Sequence, residues 1–390
     1  MITHLSLENF KCFNRKQGFD LSNLNIFTGF NGRGKSTIFQ SLLMLSQSYE
    51  RCRDIKYLYP NGIYVNLDRV SDLLNKESTN NDRPIKIGIK TTVEDFKEVE
   101  MGFKPKSDWK AELCELVINK QDYFKTTSSL EDSGKVVGDV QKTLSETYSP
   151  FSPILSSFYF ISASRIGPSL FERTTEELSS NPVGSTGENR LNVLLSHSTH
   201  NGICCGSSCS PTLKEEVEKW SSYILDGLQF NLDDNACNVI NLGMKNKESI
   251  EGWIKPVNMG FGYSYILSVI INALIAPNDS VLFVENPEAH LHPIAQARLM
   301  ELLCKVAMNG VQVNIETHSE HIVTSARLYA LETDKEIKQE NISIYFFDKD
   351  FSIKHLTIDE YGQIPDWPEG FFDLQEKQLM RIMELGLLKK

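Results

Sequence analysis

The sequence lacks any uninterrupted apolar run near the ~20 residues that a membrane-spanning helix needs. Its first residues, MITHLSLENF, lack the basic region and apolar core of a signal peptide, so we expect a cytoplasmic protein. Basic residues are outnumbered, with 40 Lys and Arg against 51 Asp and Glu and a formal net charge of -11. This balance argues against a surface that binds nucleic acid everywhere, although it leaves a local basic groove open.

The sequence also lacks internal repeats, and it has no heptad run long enough for a coiled coil. Its 8 cysteines are scattered, except for a cluster at Cys204, Cys205 and Cys209. That spacing fits no common zinc pattern, so we expect a Gly/Ser-rich loop there rather than a metal site. In a reducing compartment no disulfides are expected.

Alternating and apolar segments indicate a mixture of strands and helices. LSLENFKCF near the N-terminus predicts an edge strand and a turn, and the segments between about 60 and 120 predict an antiparallel meander. A loop is expected at 125–150. NVINLGM and SIEGWIKPV predict a hairpin that turns near Asn246, and ISIYFFDKDFSIKHLTI predicts another that turns at Asp348–Asp350.

Residues 29–36, GFNGRGKS, match the phosphate-binding loop pattern G-x-x-x-x-G-K-[ST]. Glycines let backbone N–H groups point at phosphate oxygens, and the helix that follows directs its positive end at the anion. In this pattern Lys35 reaches the outer phosphates and the Ser36 hydroxyl ligates Mg²⁺. The sequence therefore predicts a nucleotide-binding P-loop, whose phosphate-contacting residues are Asn31, Gly32, Arg33, Gly34, Lys35, Ser36 and Thr37.

A second anchor for the metal is predicted at the end of the apolar strand VLFVE, where Glu285 is the Walker B carboxylate. An ordinary ATPase of this type carries a glutamate at the next position, but here Asn286 stands there. An amide orients water without accepting its proton, so we expect slow hydrolysis. Glu288 is the alternative base, and it is equally compatible with a carboxylate at a helix start.

His318 follows the next strand, in NIETHS, where an imidazole can reach the γ-phosphate and report its loss. A lone histidine is often structural, but its place one strand–helix unit after the acidic strand favours the functional interpretation. His290 and His292, in AHLHP, are interpreted as part of a packed turn before the helix at Pro293 rather than as a metal pair.

Five motifs occur in a fixed order along the chain: LENFKCF, GFNGRGKST, NMGFGYS, VENPEAHLHP and ETHSEHIV. In this order they resemble the ABC-type ATPase heads of the RecF, SMC and OLD-like group. IPDWPEGFFD is similar to the closing segment of a bacterial subset of OLD-like AAA ATPases. The resemblance implies an α/β P-loop NTPase of the ABC-ATPase head type, with a mixed central sheet, an antiparallel β-meander subdomain and a helical insertion. Its expected parts are a P-loop lobe (1–50), the β subdomain (60–165), a helical and hairpin insertion (168–257), the lobe with the later motifs (258–330) and a C-terminal hairpin and tail (340–390).

The resemblance also implies that two copies sandwich ATP and Mg²⁺, and that a glycine–serine segment of one copy caps the γ-phosphate held by the other. We call residues 258–264 the signature segment, and Gly260, Gly262 and Ser264 are expected to act in trans. Lys11, with Phe10 and Phe13, falls where related heads pack near the base and phosphates. The glutamine that usually senses Mg²⁺ has no clear counterpart in the sequence.

No long coiled-coil arm is present, and only about 70 residues follow His318, too few for the Toprim nuclease domain of an OLD nuclease. The leading hypothesis is therefore a homodimeric ATP switch that controls a separately encoded effector, such as a nuclease, in anti-phage defence. A RecF-like DNA-binding ATPase in repair is the alternative. A self-contained nuclease is a third hypothesis, but it lacks a carboxylate cluster outside the ATP site.

Overall fold

The computed structural model describes residues 1–77, 83–122, 155, 157–175, 177–196, 210, 212–236, 238–246, 252–332 and 337–387. Across these ranges the chain forms an α/β fold with a mixed central sheet, an antiparallel sheet and a smaller sheet. None of the described helices is long and apolar enough to cross a membrane. The predicted loop at 125–150 and the cysteine cluster at 204–209 lie outside the described residues.

The antiparallel sheet consists of Ile2–Glu8 (β1), Gln17–Asp20 (β2), Tyr57–Leu58 (β4), Ile85–Thr91 (β5), Glu98–Ser107 (β6), Lys110–Ile118 (β7) and Gln121–Asp122 (β8). The strand order β2-β1-β5-β6-β7-β4, with β8 on β7, contains the predicted meander β5–β6–β7. The prediction of an edge strand at the N-terminus is wrong, because β1 pairs with β2 on one side and β5 on the other. That second pairing joins residues about 80 positions apart, which local alternation cannot reveal.

The central sheet consists of Leu24–Gly29 (β3), Phe158–Ile161 (β9), Val281–Glu285 (β13), Gln312–Glu316 (β14), Ile342–Phe347 (β15) and Ile353–Leu356 (β16). Its order is β16-β15-β3-β14-β13-β9, and every pair is parallel except β15 with β16. In register, Glu316 of β14 lies opposite both Glu285 of β13 and Phe27 of β3. The carboxyl ends of these three strands therefore meet at one edge, where ligands bind in open α/β sheets.

The described helices are Lys35–Cys52 (α1), Arg190–Ser196 (α2), Leu213–Ile224 (α3), Phe261–Ile275 (α4), Pro293–Met308 (α5), Glu320–Leu331 (α6) and Leu374–Leu387 (α7). Pro293 starts α5, where its missing N–H costs no hydrogen bond. The Ser319 hydroxyl caps α6 by accepting from the His321 N–H at 3.1 Å. These signals fix where the two helices begin, immediately after the motifs that end β13 and β14.

The P-loop lobe and the antiparallel sheet share one apolar core. Phe39 of α1 packs edge-on against Phe27 of β3 and Phe283 of β13, with ring centroids 5.6 and 5.1 Å apart. The same cluster includes Leu5 of β1 and Ile87 of β5. The phosphate-binding helix is therefore fixed from both sheets at once.

The insertion packs α2 and α3 beside a sheet of Glu172–Arg173 (β10), Leu228–Ala236 (β11) and Val239–Asn246 (β12). The long ladder of β12 runs to β11, with Leu228 opposite Asn246, a pairing that the predicted hairpin did not include. A single bridge joins Met244 to Ile254, so the chain does return along β12 after Asn246. The predicted C-terminal hairpin is confirmed, since β15 and β16 pair around a turn closed by the Asp348 N–H and the Ser352 carbonyl.

Candidate functional site

Glycines with positive φ shape the turn between β3 and α1. Gly29 ends β3 with φ 119°, and Gly34 precedes α1 with φ 102°. A Cβ on Gly29 would collide with the backbone of Phe347, and one on Gly34 would come within 2.5 Å of the Cys12 sulfur. Glycine at these two positions therefore allows the tight loop that opens onto the N-terminus of α1, which suits a bound anion.

The Lys35 side chain lies inside this loop and is only 4% exposed. Its Nζ donates to the carbonyl oxygens of Gly29 at 3.0 Å and Phe30 at 2.7 Å. Burial lowers the pKa of Lys35, and the nearby Glu316 carboxyl opposes that shift. The ammonium is thus held at the centre of the loop, where phosphate oxygens are stronger acceptors than the carbonyls it now contacts.

The other predicted loop residues differ in their contacts. Asn31 and Gly32 are exposed at the loop tip, and the Gly32 backbone has a φ of 70°. The Arg33 guanidinium lies 4.2 Å from the ring centroid of Phe351 in the β15–β16 turn. Arg33 therefore holds the loop against the C-terminal hairpin through a cation–π contact.

Lys11 and Thr37 flank the first turns of α1. The Lys11 Nζ donates to Gln40 Oε1 at 2.5 Å, and burial lowers the pKa of Lys11. Thr37 is buried, and its N–H donates to the Gly34 carbonyl at 3.1 Å. The structure thus places Lys11 beside the P-loop helix, as the resemblance implies, with its charge directed at a helix side chain.

Glu316 contacts the P-loop serine, a role that the sequence analysis did not assign. The Ser36 hydroxyl donates to Glu316 Oε1 at 3.0 Å, and Glu316 is 6% exposed. Burial raises the pKa of Glu316 to about 7, the Ser36 hydrogen bond opposes this, and Glu285 adds to it. The available signal was a carboxylate at the end of the strand NIE, directly before the predicted phosphate sensor.

Glu285 ends β13 as predicted but faces a different neighbour. Its Oε2 accepts from the Ala163 N–H at 2.9 Å and the Ser162 hydroxyl at 3.4 Å, in the segment after β9. Burial raises the pKa of Glu285, and these hydrogen bonds oppose the shift. Glu285 is therefore paired with the loop after β9, whereas Ser36 is paired with Glu316.

Asn286, Glu288 and His318 form a connected group at the same edge. Asn286 has a φ of 44°, its N–H donates to the Glu316 carbonyl at 2.7 Å, and its Nδ2 donates to Glu288 Oε1 at 3.4 Å. The same Glu288 oxygen accepts from the His318 N–H at 2.9 Å. The other oxygen, Oε2, is buried without a hydrogen-bond partner. The structure therefore brings all three predicted catalytic residues together.

A cavity of about 270 Å³ opens beside this group. P-loop residues and His318 form one wall, and the C-terminal tail forms the other, through Gly370, Phe371 and Phe372. Burial lowers the pKa of His318, Lys35 adds to the shift, and Glu288 opposes it. The sequence motifs of the tail thus lie at the nucleotide-binding edge, which the sequence did not reveal.

Arg165 is a second residue that the sequence analysis did not assign. It is 4% exposed, and its Nη2 donates to the carbonyl oxygens of Glu285, at 2.7 Å, and Asn286. Burial lowers its pKa to about 10, and the Glu288 carboxylate opposes the shift most. Arg165 therefore fixes the backbone at which β13 turns into the Asn286–Glu288 segment.

The signature segment leads into the N-terminus of α4. Gly260 precedes the helix, Phe261 is 55% exposed, and a Cβ on Gly262 would lie 2.5 Å from the His290 carbonyl oxygen. Ser264 is 1% exposed, and its Oγ is buried without a partner. The glycine end of the segment therefore faces outward, whereas the predicted serine contact would require Ser264 to leave the interior.

A second opening of about 540 Å³ adjoins this helix start. Its walls are the end of α3, Asn246, residues 260–263 and the turn at 290–295. His292 caps α5, accepting from the Ile294 N–H at 3.4 Å, and the ring of His290 packs against Phe261 and Tyr265. Both histidines thus have packing roles, and this opening shares no lining residue with the first.

The side chains at the P-loop edge fit a nucleotide-bound divalent cation. Within the described ranges, no cluster of three or more His, Cys, Asp or Glu side chains could hold a metal ion alone. Glu316, whose Oε1 accepts from the Ser36 hydroxyl, nevertheless has a buried Oε2 without a donor, and Glu288 Oε2 is a second buried acceptor without a donor at this edge of the sheet. Magnesium in such sites is held by one or two protein oxygens together with substrate phosphates, so this partial set suffices.

Family models match successive parts of the chain. A model described as "AAA ATPase domain" matches residues 1–164, and one described as "AAA domain, putative AbiEii toxin, Type IV TA system" matches residues 210–324. A third, "Protein of unknown function (DUF3696)", matches residues 337–382 and includes the tail at the first cavity. No curated relative matches the sequence.

Solved structures of SMC heads are similar over nearly the whole chain. The SMC head bound to the C-winged helix domain of ScpA has a TM-score of 0.53 at 14% identity, covering 92% of this chain and 98% of that one. The SMC head domain from Thermotoga maritima has a TM-score of 0.45 at 10% identity, covering 92% and 99%. The first likeness confirms the predicted fold class, an ABC-type P-loop head.

Proposed function

Because the chain is an ATP-binding ATPase with the fold of an SMC head, we propose that two copies close around ATP and act as a switch for a separate effector protein. The observation that carries this proposal is the separation of the two openings. The P-loop opening is lined by the start of the loop, residues 28–31, and by His318, and the signature opening is lined by the helix start at residues 260–263, yet the two share no lining residue. Each copy therefore has both halves of a site but joins them only with another copy.

The exposed glycine end of the signature segment supports this arrangement. The N–H groups of Phe261 and Gly262 precede the first hydrogen bond of α4, which the Tyr263 N–H donates to the Gly260 carbonyl at 3.2 Å, and they carry the positive end of the helix dipole. A γ-phosphate held by the P-loop of a second copy supplies acceptors and negative charge. Phe261, exposed beside this end, provides apolar area that is buried when the copies meet.

Within the closed site, the proposed roles follow the contacts. Lys35 and the loop N–H groups bind the phosphates, Ser36 and Glu285 serve Mg²⁺, and His318 senses the γ-phosphate. Asn286 orients the attacking water but cannot take its proton, which leaves Glu288 as the base. The bond from Asn286 Nδ2 to Glu288 holds the two side chains together. Because the base, Glu288, is not at the position next to Glu285 where an ordinary ATPase of this type carries it, hydrolysis is slow and the closed dimer persists.

The effector is proposed as a separate protein, a nuclease acting in anti-phage defence. The likeness to stand-alone OLD-like ATPases supports this part, and so does the lack of a metal-binding carboxylate cluster across the described residues. Helix α7 offers a contact surface, since its large apolar side chains, Leu379, Met380, Ile382 and Met383, are all more than half exposed. The net charge of -11 disfavours the alternative, DNA binding in repair.

The test is the mass of the purified chain in solution with and without ATP and Mg²⁺, measured by sedimentation velocity. We expect a monomer that becomes a dimer with ATP, more persistently in Glu288→Gln, and a Lys35→Ala variant that stays monomeric. Lys349→Ala, in the exposed β15–β16 turn, is the matched control.

A wild-type chain with the same mass in both conditions would refute the switch. In cells, the proposal requires that Lys35→Ala abolish protection against phage when the chain is expressed with its neighbouring genes. ATP-stimulated binding to linear DNA that weakens steeply with salt would instead support the repair function.

A further inference from the structure

We propose that Glu316, and not Glu285, is the carboxylate that positions Ser36 toward the nucleotide-bound metal ion. The inference rests on the proposed binding of ATP with a divalent metal and concerns a residue with no assigned role. It comes from the strand order, from the hydrogen bond between Ser36 and Glu316, and from which oxygens of Glu285 and Glu316 already accept hydrogen bonds.

The strand order favours Glu316. β14 is the direct neighbour of β3, the P-loop strand, whereas β13 is the second neighbour. Neighbouring strands lie about 4.8 Å apart, so a carboxylate that ends β14 starts one strand spacing closer to Ser36 than one that ends β13. Because Glu285 and Glu316 are in register, they leave the sheet at the same height and differ in this lateral distance.

The hydrogen bonds agree with the strand order. Ser36 Oγ donates its proton to Glu316 Oε1 at 3.0 Å, which leaves the lone pairs of the hydroxyl for a metal ion. Glu316 Oε2 is buried without a donor, so it can accept from a metal-bound water. Glu285 Oε2, in contrast, already accepts from the Ala163 N–H and the Ser162 hydroxyl.

Glu316 is therefore a positioning residue that acts through Ser36. A partner that orients a metal ligand typically contributes a factor of about 10–100 to metal affinity. Such a role is distinct from catalysis by Glu288 and from sensing by His318, which are joined to each other by the hydrogen bond from the His318 N–H to Glu288 Oε1. It predicts that the loss of Glu316 changes the metal dependence of ATP binding rather than ATP binding itself.

The experiment is calorimetric titration of the full chain with ATP, once with Mg²⁺ and once with EDTA. Wild type is compared with Glu316→Gln, Glu285→Gln and, as a matched control at an exposed site, Glu340→Gln. We expect Glu316→Gln to lose about tenfold of the affinity gained from Mg²⁺, with affinity in EDTA retained, and Glu285→Gln to lose less. Mn²⁺ bound in the presence of ATP, counted by electron paramagnetic resonance, should fall in parallel.

A further cycle tests whether Glu316 acts through Ser36. In a Ser36→Ala background, Glu316→Gln should have little further effect, because the two residues share one interaction. If Glu316→Gln melts below wild type, Glu316→Asp, which retains the charge but withdraws the oxygen, replaces it in the comparison. A wild-type metal dependence in the variant, or a larger loss in Glu285→Gln, overturns the inference. If wild type binds no ATP in either condition, the proposed function fails instead.

Discussion

The P-loop edge and the signature segment differ in how complete they are within one chain. At the P-loop edge, Lys35 and Glu316 are buried and Ser36 is half-buried, and each is hydrogen-bonded to another of the three or to the loop. At the signature segment, Phe261 is exposed and the buried Ser264 hydroxyl has no partner. The first region is organised within the single chain, whereas the second exposes apolar surface. Under the proposed function, one chain binds ATP by itself and responds to it only when a second copy covers this surface.

The largest effect is expected from a substitution at the P-loop edge, the region that is organised within the single chain. Lys35→Ala should lower ATP turnover by about 100-fold or more, because one phosphate-binding donor in a dry site is worth about 3–4 kcal/mol. The measurement is steady-state phosphate release, with Lys349→Ala as the control. Turnover that survives in Lys35→Ala would mean that the loop is not the nucleotide site.

The next largest effect is expected from a substitution in the signature segment, where Phe261 is exposed. Phe261→Asp should weaken ATP-dependent dimerisation by about 30-fold, because an aromatic side chain at an interface centre contributes about 2 kcal/mol. ATP affinity of the monomer, measured by calorimetry at low protein concentration, should stay near that of wild type. If dimerisation and ATP affinity both fell, the signature segment would contribute to ATP binding within one chain, and the contrast between the two regions would be wrong.

A smaller effect should come from the turn that connects the two regions. Asn286→Glu places a carboxylate at the position next to Glu285 and should raise turnover by about tenfold, less than the full contribution of a general base, because Glu288 already supplies part of that function. Pre-steady-state phosphate release, compared with Glu288→Gln, separates the chemical step from dimer opening. An Asn286→Glu variant no faster than wild type would show that Glu288 already supplies the full base function.

The smallest effect is expected at α7, whose apolar side chains, like Phe261 of the signature segment, are exposed. Leu379→Ala should change the free energy of unfolding by less than about 0.5 kcal/mol, because its side chain is 53% exposed. Leu303→Ala in α5, fully buried, should cost about 2–5 kcal/mol. Urea denaturation measures both. A large loss in Leu379→Ala would place α7 among the packed elements.

Local sequence predicted the parts of the site whose geometry is local. The strand–loop–helix unit around Lys35, the carboxylate that ends β13 and the histidine after β14 all follow from residues within about ten positions of each other. The structure places these residues where the patterns indicated. The N-terminus of α4 at Gly260 was likewise indicated, since glycines before an apolar helix are a local signal.

The parts that were missed depend on strand order and packing. That Ser36 meets Glu316 instead of Glu285 follows from β14 lying between β3 and β13, and no local pattern encodes that order. Arg165 lies four residues beyond the end of β9 and 120 residues before the turn it fixes. The long ladder of β12 runs to β11, which precedes it in the chain, and the residues after Asn246 reach β12 through the single bridge between Met244 and Ile254, a division that local alternation does not encode.

The parallel register of β14 restricts how this protein can change over evolutionary time. One strand positions both Glu316 and His318, and a slip by one residue would turn every side chain of β14 to the opposite face. An insertion within Gln312–Glu316 would therefore displace both side chains and disrupt the two proposed roles together. The turn at Asn309–Val311, at the opposite end of the strand, can lengthen without moving either residue. Related chains should therefore vary in length at this turn and remain constant in length along the strand.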